Sequence, residues 1–204
     1  MLLARDDSEN HLEYARPFIE HGLPIYIDKP IALNVETLNK LYNLQKYEGQ
    51  IFTCSALRYA RELSLEAIDL SKVGTIKSVT AETPKSWRKY AVHVIEPVIQ
   101  LLGPRHKNLK FISCVKGSDN GAMVILKDHE DLVVNLIAKG ERVSTPISIT
   151  VVGDSGSQVL TFSNPFDAFK SALGEFIDGI STNKCKSPYD FNKRVVSIIE
   201  MGMH

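Results

Sequence analysis

Apolar residues fall into two regimes along this chain. Up to about residue 57 they alternate between helical stripes and short β-type runs. Leu12, Ala15, Phe18 and Ile19 form a stripe within residues 8–21, with Ser8 placed to cap it and Gly22 to close it. Pro17 lies inside that stripe and implies a kink or a later first turn. The run 24–27 reads as a strand. Asn34 or Val35 then opens a second helix with Leu38, Leu41 and Leu44 on one face, ending near Gly49, and residues 51–56 read as the next strand. Helix, strand, helix, strand in turn is an α/β signature.

Beyond residue 60 the pattern predicts a helix near 62–72, a turn at Val73-Gly74-Thr75, a strand over 76–82 and a helix over 91–102 stopped by Gly103-Pro104. Strand-like segments follow near 109–116, 121–127, 131–138, 146–152 and 157–162, with Gly/Asp/Ser turns at 117–121 and 153–156. Short turns between consecutive strands predict an antiparallel meander. Helices near 165–180 and 190–203 close the chain. The expected fold class is therefore α/β plus α+β. Residues 1–57 form an incomplete piece of a parallel-sheet domain, and 58–204 form a domain built on a mainly antiparallel sheet. The last helix is expected to pack back on the first part. One strand-and-helix piece cannot bury both faces of a parallel sheet.

Composition excludes some classes of function. Hydrophobic residues make up 44% and charged residues 24%, with formal net charge zero, so neither nucleic acid nor an anionic membrane has an electrostatic case. No apolar run reaches the ~18 residues of a membrane span, and acids at 6 and 7 follow too soon after Met1-Leu2-Leu3 for a signal peptide. Three separated cysteines without a CxxC pair point to reduced thiols and a cytoplasmic setting. His21, His106, His129 and His204 show no ligand spacing, and no metal is expected.

The stretch Ile25-Tyr26-Ile27-Asp28-Lys29-Pro30 places a lysine at the end of a strand, on a base stiffened by proline. Open α/β sheets bind their ligands at that edge. His93 opens an amphipathic helix with Glu96 and Pro97 three and four residues on. An imidazole there can accept a hydroxyl proton, and Glu96 can orient its ring.

Three segments in order resemble the Gfo/Idh/MocA family of NAD(P)-dependent sugar and polyol dehydrogenases: Glu9-Asn10-His11 running to Asp28-Lys29-Pro30; Val92-His93-Val94-Ile95-Glu96-Pro97 running to Leu102-Gly103; and residues 168–180 with Pro188-Tyr189-Asp190 and the final helix. The resemblance covers essentially the whole chain. It implies hydride transfer between NAD or NADP and a secondary hydroxyl of a sugar, polyol or related molecule, with Lys29 and His93 as the catalytic pair. Asn10, His11, Asp28, Lys29 and Pro30 would lie near the cofactor, although His11 can equally cap its helix. Arg58, Trp87, Tyr90, His93 and Glu96 would face the substrate. Arg58 can instead pair with a carboxylate, and Trp87 and Tyr90 can instead anchor their helix. Lys89 stands where many members carry an Asp, and a cation there would disfavour an imidazolium.

None of the 12 glycines forms the G-x-G-x-x-G loop that lets backbone N–H groups meet a pyrophosphate. By resemblance the sequence reads as a dehydrogenase without its front, at least two βαβ turns of ~30 residues. This form is expected to bind dinucleotide weakly or not at all. The alternative is a non-catalytic binding or assembly subunit. In either case the antiparallel sheet is the expected homo-oligomer contact, with the sparsely charged run 132–137 as core or interface.

Overall fold

Ile25 and Ile27, both fully buried, flank the half-buried Tyr26 in the central strand of a small parallel sheet. The computed structural model describes residues 1–204 and orders this sheet as β1 (Leu2–Leu3), β2 (Ile25–Ile27) and β3 (Ile51–Phe52). β1 is too short for any periodicity to reveal. Two helices, α1 (His11–Glu20) and α2 (Val35–Asn43), bring Ala15, Ile19, Leu38 and Leu41 against Leu3, Ile25, Ile27 and Ile51. Asn34 caps α2, its Oδ1 accepting from the Thr37 N–H at 2.8 Å. Ser8 does not cap α1. It is buried in a 3₁₀ turn, Ser8–Asn10, that precedes the helix, and Pro17 is carried inside the helix.

The expected helix over 62–72 is absent. The chain makes 3₁₀ turns at Ala56–Tyr59, Arg61–Leu63 and Leu65–Ala67, then a single turn, α3 (Leu70–Val73). Ser64 and Ile68 are extended, with ψ of 167° and 125°. The buried positions Leu63, Ile68 and Val73 are spaced five apart, which fits no single helical face.

The six strands of the second sheet are β4 (Ile76–Thr83), β5 (Lys110–Lys116), β6 (Ala122–Lys127), β7 (Val133–Ala138), β8 (Ser148–Gly153) and β9 (Ser157–Thr161). Their order is β5-β6-β7-β4-β8-β9. β4 enters the centre of the predicted meander and runs parallel to β7, and every other pair is antiparallel. Val79, Ala81, Val124, Val134, Leu136, Ile149 and Val151 form the inner face. They share one core with Val94, Ile95, Val98 and Ile99 of α5 (Val92–Leu102), which follows the one-turn α4 (Trp87–Tyr90).

Of the last two helices, α6 (Pro165–Thr182) and α7 (Tyr189–Met201), the second returns to the parallel sheet. Val196 joins the smaller core, Glu200 accepts from the Val35 N–H at 3.1 Å, and Tyr189 donates to Asn39 at 2.6 Å. α6 leaves Phe166 and Phe169 exposed, by 74% and 66%. With Leu2, Leu3, Tyr26 and Leu173 they line an apolar cavity of about 510 Å³ beside β1.

Candidate active site

The loops that leave the carboxyl ends of β1, β2 and β3 meet α4 and the start of α5, and the candidate residues sort themselves there. Asp28 extends the ladder by one residue, its N–H donating to Leu3 O at 2.9 Å, and it borders the apolar cavity. Lys29 follows on a cis peptide to the buried Pro30. Its ammonium forms no hydrogen bond or ion pair within the protein and lies 5.8 Å from the centre of the Tyr90 ring. The Tyr90 ring stands edge-on to His93, centroids 5.1 Å apart, and its hydroxyl accepts from Lys85 Nζ at 2.9 Å. His93 Nδ1 is 2.8 Å from Ser55 Oγ. Lys29, Lys85, Tyr90, His93 and Ser55 thus form one cluster.

Burial, then Lys29 and Lys85, push the His93 imidazole down to about 3, so it is neutral at physiological pH. The expected influence of Lys89 is not found: Lys89 points to Asp6, 2.7 Å away, while its neighbour Arg88 reaches Glu9 at 2.7 Å. These two pairs tie α4 to the loop after β1.

The other candidates lie outside the cluster. Trp87 is 2% exposed and its indole N–H donates to Ile199 O at 2.8 Å, so its ring anchors α4 to α7 and offers no open face. Arg58 stacks on Phe191, 4.0 Å from the ring centre, and donates to Lys186 O, with no carboxylate within ion-pairing distance. Glu96 does not reach the His93 ring. It is 2% exposed, and burial pushes its carboxyl up to about 7 against the opposing effects of Arg58 and the Ser55 N–H. Asn10 donates to Asp7, and His11, fully buried, sets both ring nitrogens against the carbonyls of Arg5 and Ile31. His11 is a tie between two loops. Ser55 and Lys85 escaped sequence reasoning. A serine closing a strand run and a lysine after Pro84 were the only signals available.

No protein-family model matches the sequence, and no curated protein matches it. Solved structures do. An oxidoreductase from Thermotoga maritima superposes with a TM-score of 0.79 at 16% identity, covering 100% of this chain and 75% of that one. A myo-inositol dehydrogenase from Corynebacterium glutamicum gives 0.76 at 11%, covering 99% and 76%. The fold is that of the Gfo/Idh/MocA-type oxidoreductases. A biliverdin reductase from Synechocystis, solved with biliverdin and NADP+, gives 0.74 at 14%, covering 99% of this chain and 77% of its own. GenD2 from gentamicin A biosynthesis, solved with NAD, gives 0.78 at 13%, covering 99% and 74%.

Within this Gfo/Idh/MocA-type fold, the 204 residues fit a dinucleotide only in part. The three-stranded sheet carries no glycine-rich phosphate loop. The cluster at its carboxyl edge, with an unpartnered ammonium beside a neutral imidazole, fits a reacting oxygen. No helix is long and apolar enough to cross a membrane.

Proposed function

We propose that this chain supplies the substrate side of an NAD(P)-dependent oxidoreductase acting on a carbon–oxygen bond of a sugar, polyol or related small molecule. The observation that carries the reading is the convergence of Lys29, Tyr90 and His93 at the carboxyl edge of a parallel sheet, in a fold shared with dehydrogenases and reductases. A bound nicotinamide would supply the hydride chemistry. What the chain's own residues do is hold the oxygen. The Lys29 ammonium, without a partner in the protein, stabilises negative charge developing on it. His93 and Tyr90 orient it, and the Ser55 contact fixes the His93 ring.

The test is saturation-transfer NMR of a panel of cyclic polyols and keto sugars on the full chain, alongside dehydrogenase turnover. Binding that is lost in Lys29→Met and in His93→Ala, with slow or absent turnover, is expected. Panel binding that survives both substitutions would overturn the assignment. Turnover by this chain equal to that of a complete enzyme would overturn the account of its missing phosphate loop.

A second reading rests on the outer face of the six-stranded sheet. Register places Val115, Met123, Ile125, Val133, Ile137, Val152 and Val159 on that face, all at least partly exposed. Within the run 132–137, Leu132, Val134 and Leu136 are core, while Val133, Asn135 and Ile137 face outward. Such a face favours self-association in either role, catalytic or assembly.

A further inference from the structure

Ser55 has one proton to give, and the surrounding bonds determine where it goes. The residue is fully buried at the end of the run that starts with β3. Its carbonyl accepts from the Arg58 N–H at 3.1 Å. Its hydroxyl makes two contacts, accepting from the Leu57 N–H at 3.3 Å and lying 2.8 Å from His93 Nδ1. A hydroxyl offers one donor and two lone pairs. With Leu57 on one lone pair and no other acceptor in contact, the proton has a partner only in Nδ1. Were Nδ1 itself protonated, it would occupy the second lone pair and leave the serine proton buried without an acceptor, an arrangement that folded proteins avoid.

We infer that Ser55 is a positioning residue that holds His93 as the Nε2–H tautomer, so that the ring meets a ligand oxygen as a hydrogen-bond donor and not as a base. The groups around the ring agree. The Lys29 ammonium has only donors, and the Tyr90 hydroxyl, already accepting from Lys85, keeps its own proton to give. Glu96, the nearest carboxyl on the same helix, points into the core. Lys29 and the His93 Nε2–H therefore both offer hydrogen bonds to the site, and Tyr90 can give one or take one.

That the ring meets a ligand rests on the oxidoreductase reading. The tautomer does not, since it follows from Ser55 alone.

Long-range ¹H–¹⁵N correlation spectra of the histidine rings separate the two tautomers, with His93 assigned by its loss in His93→Gln. The expected result at neutral pH is a protonated Nε2 and an unprotonated Nδ1. Ser55→Ala is expected to change that pattern and Ser55→Thr, which keeps the hydroxyl, to restore it. An Nδ1–H pattern in the unsubstituted protein would overturn the inference without need of any variant, and so would a pattern indifferent to Ser55→Ala.

Discussion

Gly202→Ala probes how the end of the chain locks the helix that leads into the site. Gly202 has φ of −83°, a conformation open to alanine, so any cost is steric. A Cβ at that position would overlap Cε2, Nε1 and Cζ2 of the Trp87 indole. The ring is 2% exposed and pinned by its 2.8 Å bond to Ile199 O. The backbone at 202 is held from the other side, where Lys116 Nζ donates to Gly202 O at 2.9 Å. Either the indole turns and gives up Ile199, or the last turn swings out and gives up Lys116. Overpacking a filled core costs about 1–3 kcal/mol and a lost hydrogen bond about 1. The expected loss of stability is therefore about 2–4 kcal/mol. Urea unfolding followed by fluorescence measures it, and Trp87 is the sole tryptophan, so its emission reports on this contact alone. A lower midpoint at unchanged m, with native emission shifted to the red, is expected. A change below about 0.5 kcal/mol with emission unaltered would refute the packing argument.

The remaining tests address the acid response and the outer sheet face. Asp128, 5% exposed, accepts from Arg105 at 2.7 Å and from the N–H groups of Glu130 and Leu132 at 2.9 Å each; Asp128→Ala strands these donors and is expected to cost about 3 kcal/mol in urea unfolding. Burial alone would raise the Asp128 carboxyl, but Arg105 and the two N–H groups outweigh it and hold it below its ordinary value. The stability it contributes is then present above the unfolded pKa, near 3.9, and is lost as pH falls through the lower folded value. Acid titration of Asp128→Asn should lack that loss, and an identical acid limb would refute it. Ile125→Lys, on the outer sheet face, is expected to turn any dimer into monomer in sedimentation velocity without changing the fold; unsubstituted protein that sediments as monomer would refute self-association through that face.

Period-two alternation was enough to read β4 to β9 to within a residue or two, because one side of each strand is buried and the other is not. Where β4 sits in the sheet was not readable, since periodicity carries no information about pairing partners. The segment 62–72 was misread as a helix because its buried residues Leu63 and Ile68 anchor successive tight turns, with Asp69 capping the last of them. Of the candidate site, the order of the motifs marked Lys29 and His93, and the fold brings them to one edge. Trp87 and Tyr90 were indistinguishable as neighbouring aromatics. A single helical turn sends the first into the core and leaves the second beside His93. Ser55 is legible only in three dimensions, because its role comes from a helix 38 residues away in sequence.

Glu96 does not act on the His93 ring directly. Spacing of three on a helix suggests a contact, but it is the Ser55 hydroxyl that meets the ring, and the carboxyl is buried in the core. The arrangement is not one that stability would select. Glu96 Oε2 is buried without a partner, as are Nε and Nη1 of Arg58, so the nearest opposite charges do not close into an ion pair. A carboxyl raised from 4.5 to about 7 contributes stability that is complete below the unfolded pKa and is lost as pH rises through the folded one. The shift corresponds to a loss on the order of 3 kcal/mol between mildly acid and alkaline pH. Glu96→Gln keeps the shape of the side chain and removes the charge. Its stability by urea unfolding relative to the unsubstituted protein is expected to rise between pH 5 and 8, since the opposite slope that the depressed His93 imidazole contributes below about 6.5 is common to both, with the His93 tautomer unchanged. Glu96→Ala removes the charge and leaves a cavity, and is expected to show the same relative rise with pH from a lower starting stability. A stability difference from the unsubstituted protein that stays constant with pH in both variants would place the titrating group elsewhere.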